Sequence, residues 1–184
     1  VLLELVQWAD VVTESFSPKA MAAWGLDYAS LRQIKPDLIM ISSCLFGQTG
    51  PYALVAGYGT MGAAIGGMVQ PTGWPDQPPA GPYGAYTDAC APRISVAAIL
   101  AAVEHRDRTG EGTYLDQSQI EASLHYMTPA ILDHQLTGNP WDRLGNDDLE
   151  LCPHGVYPSA GDNEWVAVAV RSIDDWRRLM GSGG

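Results

Sequence analysis

Residues 81–122 read GPYGAYTDACAPRISVAAILAAVEHRDRTGEGTYLDQSQIEA and place one carboxylate, Asp88, at the mouth of a long apolar helix. Apolar spacing predicts that helix over Cys90–Arg108, with Ile94, Ala97, Ala98, Ala101 and Ala102 on one stripe, basic residues in its last turn and Gly110 just beyond. Thr113–Asp116 follows as a short strand. A second long helix is expected over Ser118–Leu136, carrying Ile120, Leu124, Met127, Ile131 and Leu132 and kinked at Pro129.

Upstream, Leu2–Trp8 has helical apolar spacing and Asp10–Glu14 is a short β-branched run. Ser17-Pro18 is an N-cap followed by proline at the first helical position, so a short helix is expected over Pro18–Trp24, stopped by Gly25. Asp27 caps another through Ile34, and Pro36 ends it. Leu38–Ser43, LIMISS, is the continuous apolar run of a buried parallel strand. Helix, strand, helices and strand in this order specify an α/β layer architecture.

Between these blocks FGQTGP (46–51) is loop, and Tyr58–Gln70 is a Gly/Ala-rich helix. There Gly62 and Gly66 would let another backbone approach closely. Prolines exclude regular structure from PTGWPDQPPAGP (71–82), which reads as a surface loop. After Gly138 the chain turns polar and irregular, which puts a domain boundary there: residues 1–138 form the first domain, and residues 139–184 a linker and the start of a second. In the latter, Val156–Pro158 and Trp165–Val170 flank the turn AGDNE as a hairpin, and Ser172 caps a helix running toward Met180.

With 184 residues, 46% hydrophobic and 17% charged, the chain is globular and long enough for a sizeable core. Its 21 acidic against 10 basic residues, net −11, argue against a nucleic-acid or anionic-membrane surface. Cys44, Cys90 and Cys152 are odd in number and show no metal spacing, which suits a reducing cytoplasm. The weakly polar runs Met61–Val69 and Ser95–Val103 are too short to span a bilayer, which needs about 20 apolar residues, so a soluble protein is expected. The chain opens without Met on a helix running into a strand and closes on Gly-Ser-Gly-Gly, from which a fragment is expected.

Gly57–Gly62 spells GxGxxG, but it follows a loop instead of a strand and lacks the acidic residue about 20 positions later, so it is not a dinucleotide site. His105, His125, His134 and His154 do not fall at metal-ligand spacing, and Glu121 with His125 reads as a surface pair on one helix face. Asp88 admits two readings from its position. It is an N-cap that satisfies orphan amides, or an ionised nucleophile held at the positive end of a helix dipole beside the small residues Ala89 and Ala91.

Several blocks, in order along the chain, resemble the family III CoA-transferases. ADVVTESFSPKAM (9–21) resembles the family's strand and CoA-contacting turn, FGQTGP its loop, AGYGTMGAAIGG (56–67) the following helix and YTDACAP (86–92) its catalytic turn. TGEGTYLDQSQIEA (109–122) resembles its TGxGQ-type segment, and PHGVYPSAGDNEWVAVAV (153–170) the entry to its smaller domain. The resemblance implies part of a Rossmann-like, parallel-sheet large domain, then the start of a smaller α+β domain, with two chains interlocked as a homodimer. It implies that Asp88 forms a covalent aspartyl intermediate while CoA passes from an acyl-CoA to a carboxylic acid. By the same resemblance, Ser15, Phe16, Lys19 and Tyr58 contact CoA, which is a substrate; no covalently bound cofactor and no metal are implied.

The sequence departs from the family at several points. Ser15 stands where the family has Asn, and Ser17 where it has a basic residue; LELCPHG occupies the place of a glycine-rich loop; the family's N-terminal region and most of its smaller domain have no counterpart. A truncated, non-catalytic CoA-transferase-like α/β domain is therefore the alternative. The related α-methylacyl-CoA racemases pair their aspartate with a histidine where this chain has Tyr58, so racemisation ranks below acyl transfer.

Overall fold

Three β-rich runs build the central sheet. The computed structural model describes residues 1–181. Strands β1 (Val11–Glu14), β2 (Ile39–Cys44) and β3 (Thr113–Ser118) are parallel and ordered β1-β2-β3, with Val11 opposite Ile39 and Ile39 opposite Thr113. The middle strand is covered on both faces: Ile39, Met40, Ile41 and Ser42 are all buried, which is why LIMISS lacks a polar face.

On one face, Met40 packs with Val6 of α1 (Leu2–Trp8), Leu31 of α3 (Tyr28–Ile34) and Leu38. Met21 of α2 (Pro18–Ala23) and Tyr28 flank this cluster, and Tyr28 stacks on Tyr114 of β3 at 5.2 Å. Helix α3 starts as expected, Asp27 accepting the Ser30 amide at 3.1 Å. Between α4 (Gly59–Ile65) and β3 runs the long helix α5 (Tyr86–Thr109), which packs on β2 and β3. Gly112 lets the chain enter β3 hard against β2, since a Cβ there would lie 2.3 Å from the Leu38 carbonyl oxygen.

The structure corrects five sequence expectations. Helix α5 begins at Tyr86, not Cys90, and runs through Pro92 to a left-handed Gly110 (φ 77°). Its inner stripe is Thr87, Cys90, Ala91, Ile94, Ala98 and Ala102, while Ala97 and Ala101 face solvent. An Ala-rich helix has no strong apolar side to read, so the stripe was drawn one position too wide. At 24 residues α5 is, by length and composition alone, long and apolar enough to cross a membrane, a property missed when the run was counted only from Ser95. The expected helix 118–136 breaks into α6 (Gln119–Leu124), a 3₁₀ turn (His125–Met127) and α7 (Thr128–Thr137), with Pro129 in the first turn of α7, where its missing N–H costs nothing. Helix α4 ends at Ile65, well short of Gln70, because the left-handed Gly67 (φ 82°) folds the chain back and the Met68 amide bonds the Ala63 carbonyl at 2.9 Å.

The chain divides into two compact units, residues 1–69 with 81–140, and residues 70–80 with 141 onward. Within the second unit the proline-rich segment is tied down: the Gly145 amide donates to the Gly73 carbonyl at 2.9 Å, and Gln70 Nε2 to Asp142 at 3.1 Å. Strands β4 (His154–Pro158) and β5 (Trp165–Ala169) form the expected antiparallel hairpin. Ser172 accepts the Asp175 amide at 3.1 Å to cap α8 (Ile173–Gly181).

Candidate functional site

Ligand crevices in open α/β sheets form outside the carboxyl ends of the parallel strands. In the first unit a cleft of about 910 Å³ opens at that edge, walled by the residues following β1, β2 and β3 and by the starts of α4 and α5. Ser15, Phe16, Lys19, Tyr58 and Asp88, the five residues singled out from the sequence, all line it. All five are exposed, Tyr58 at 83%.

Their local settings differ. The Glu14 carboxylate accepts the Phe16 amide at 2.7 Å and closes the turn after β1, and the Phe16 ring stands edge-on to Trp24 at 5.2 Å. Lys19 projects from the first turn of α2, and Tyr58 is the residue that precedes α4.

Asp88 is not an N-cap. Ala85 holds that position, and Asp88 lies in the first helical turn, its amide bonded to the Ala85 carbonyl at 3.1 Å. Helix formation from Tyr86 moves the carboxylate one turn inward from the expected place. It remains at the N-terminal end of α5.

Helix α4 lies against this turn without intervening side chains. A Cβ on Gly59 would be 2.7 Å from Asp88 Oδ2 and 2.9 Å from the Ala85 carbonyl carbon, and one on Gly62 would be 2.6 Å from Thr87 Oγ1. The close approach foreseen at Gly62 and Gly66 is thus made by Gly59 and Gly62. Thr87 is fully buried and donates to the Gly59 carbonyl at 3.2 Å, with Gln119 Oε1 at 3.5 Å.

Three residues here were not singled out from the sequence: Thr87, Gln119 and Asp116. Asp116 on β3 accepts the Gln48 amide at 2.7 Å and the Thr49 hydroxyl at 3.4 Å, while Gly47 adopts φ 81° beside it. It therefore clamps the loop whose Phe46 lines the cleft. No local signal marks Asp116, because its partners are distant in sequence.

Cys44 also lines the cleft, half-buried. Burial pushes its thiol above the ordinary value, and the negative charges of Asp116 and Glu14 add to the effect. A thiol kept protonated is a poor nucleophile. Asp88, exposed and next to open space, can attack an electrophilic carbonyl. Among the described residues no group of His, Cys, Asp and Glu side chains is gathered to hold a metal ion.

A sequence model of the family described as CoA-transferase family III matches residues 1–183. The chain is 36% identical over 180 residues to the succinyl-CoA–D-citramalate CoA-transferase of Chloroflexus aurantiacus, a match covering 98% of this chain and 44% of that protein. It is 38% identical over 175 residues to the succinate–glutarate CoA-transferase of Agrobacterium fabrum, covering 95% and 43% respectively. Among solved structures, a CaiB/BaiF family protein from Brucella suis superposes with a TM-score of 0.90 at 31% identity, over 98% of this chain and 47% of that one. The chain therefore spans less than half the length of these relatives.

Proposed function

The chain belongs to the CoA-transferase family III, and on that premise we propose that it transfers CoA from an acyl-CoA thioester to a carboxylic acid, with Asp88 as the covalent nucleophile. The observation that carries the reading is the exposed Asp88 carboxylate in one cleft with Ser15, Phe16, Lys19 and Tyr58. CoA enters as substrate: Lys19 offers a cation to its phosphates, and Phe16, Ser15 and Tyr58 offer ring faces and hydroxyls along the same wall.

The chemistry is a double displacement. An Asp88 carboxylate oxygen attacks the thioester carbonyl, the C–S bond breaks, and CoA leaves as thiolate from an aspartyl–acyl anhydride. The thiolate then attacks the aspartyl carbonyl, releasing the donor acid and leaving an aspartyl-CoA thioester. The acceptor carboxylate attacks that carbonyl and expels the thiolate, which takes the new acyl group and frees Asp88. No step consumes water, so thioester energy is conserved. The wall beside Asp88 includes the apolar Ala53, Leu54 and Met61, surfaces that hold water loosely.

The proposal includes a cytoplasmic homodimer, which the free thiols and the exposed Leu2, Leu3, Leu5 and Trp8 of α1 support. The reading that competes with turnover is a non-catalytic CoA-transferase-like domain. Incubation with a panel of acyl-CoAs followed by hydroxylamine and peptide mapping separates the two. The expected result is a hydroxamate on Asp88 alone, absent in Asp88→Asn, whose circular dichroism matches the parent. Label on another carboxylate, or none with any donor, overturns the proposal.

A further inference from the structure

We infer that Thr87 is a positioning residue, whose buried hydroxyl braces α4 against α5 and so sets where the Asp88 carboxylate stands in the cleft. Its catalytic consequence rests on the reading of Asp88 as nucleophile. The brace itself rests on geometry alone.

A threonine inside a helix ordinarily turns its hydroxyl back to a carbonyl one turn earlier in the same helix. At the second residue of α5 that preceding turn lies outside the helix, and Thr87 Oγ1 reaches across to the Gly59 carbonyl at 3.2 Å. The hydroxyl is fully sequestered from water, so it needs a protein partner. The space for it is made by Gly62, where a Cβ would lie 2.6 Å from Oγ1. Gly59 and Gly62 are three apart and share one face of α4. That face therefore receives Asp88 at one glycine and Thr87 at the other.

Neighbours on α5, Thr87 and Asp88 thus touch neighbouring points of α4. If the brace lets go, α4 is no longer held at the separation at which the Asp88 carboxylate fits beside Gly59. Removing the hydroxyl takes one bond from the Gly59 carbonyl and the 3.5 Å contact from Gln119 Oε1. The Gly59 carbonyl keeps the helical amide one turn on, that of Ala63, and valine fills the volume of threonine. The loss is one of placement.

The test uses Thr87→Val, Thr87→Ala and Thr87→Ser. With acyl-CoA in excess, the rate of adduct formation on Asp88 should fall about tenfold in the valine and alanine variants, since displacements near 1 Å are worth up to about a hundredfold. The half-saturating acyl-CoA concentration should stay within about twofold, and serine should restore the rate. A purely structural role would lower the melting temperature and leave the saturated rate unchanged, and that outcome overturns the inference. A second readout does not depend on chemistry: the carboxyl-carbon NMR resonance of Asp88 should move or broaden in Thr87→Val and stay in place in Thr87→Ser. If the parent forms no adduct, the nucleophile reading fails while the resonance still decides on the brace. An Asp88 resonance identical in all variants refutes it.

Discussion

Gly59→Ala puts the contact between α4 and α5 to a quantitative test. The added methyl carbon would sit 2.7 Å from Asp88 Oδ2, 2.8 Å from its Cγ and 2.9 Å from the Ala85 carbonyl carbon, against an optimal separation of about 3.5–4.0 Å. The Asp88 carboxylate can swing aside, but the Ala85 carbon belongs to the backbone, so about 0.6 Å of relief must come from moving one helix. Overpacking of this kind costs about 1–3 kcal/mol. Alanine recovers at most about 1 kcal/mol of helix propensity over glycine, and less at a first helical residue. Gly59 has no positive φ, so backbone strain adds nothing. The balance is a loss of about 1–2 kcal/mol, or roughly 2–8 °C in melting temperature for a chain of this size. Because the side chain yields before the backbone does, Asp88 should turn out of position and its acylation should fall more than tenfold, by the same displacement argument. Thermal melts and intact-mass kinetics on one preparation measure both quantities. A variant as stable as the parent that still acylates Asp88 at the parental rate would show that the two helix starts are not in contact.

The remaining expectations concern the framework. Asp116→Ala removes the acceptor of the Gln48 amide and the Thr49 hydroxyl; it should cost about 1–2 kcal/mol and speed hydrogen exchange at the Gln48 amide, and unchanged protection there would show that the loop is held by something else. Asp27→Ala should cost about 1 kcal/mol at neutral pH, and the cost should be pH-dependent. Hydrogen bonds from the Ser30 side chain and amide hold the Asp27 carboxyl below its ordinary 3.8, so its contribution is complete above that value and disappears as pH falls through the lower folded-state value. Urea titrations at pH 7 and at about pH 2 should therefore show the parent and the variant converging in acid.

The sheet and its capped helices were legible because their signals are local. LIMISS is apolar without alternation and becomes the strand covered on both faces; Asp27 and Ser172 each precede a helix and each accept an amide three residues on. Elements lacking local contrast were misread. Helix α5 is rich in alanine and lacks a strong apolar side, so neither its start nor its buried stripe could be located from spacing. The break before α7 arises where tertiary packing selects a 3₁₀ turn at His125–Met127, a choice that periodicity does not encode.

At the site, the sequence marked the residues that face solvent and missed those that hold them. Ser15, Phe16, Lys19 and Tyr58 were marked by resemblance to the family, and Asp88 both by that resemblance and by its place before an apolar helix. Thr87, Asp116 and Gln119 act through partners 28, 68 and 32 residues away along the chain, and no window of sequence contains both ends of such a bond.

This division has a physical cause that bears on mechanism. A nucleophilic carboxylate must be exposed enough to meet its substrate, so it cannot be immobilised by burying it. The chain instead immobilises the neighbour: Thr87 is sealed from solvent and bonded across to α4, while Asp88, one residue on, is left open to the cleft. The two bare glycines of α4 make both arrangements possible at once, one by admitting the hydroxyl, the other by admitting the carboxylate. Rigidity is thereby supplied through one peptide unit of α5, and the Asp88 carboxylate, which we propose as the nucleophile, stays open to the cleft.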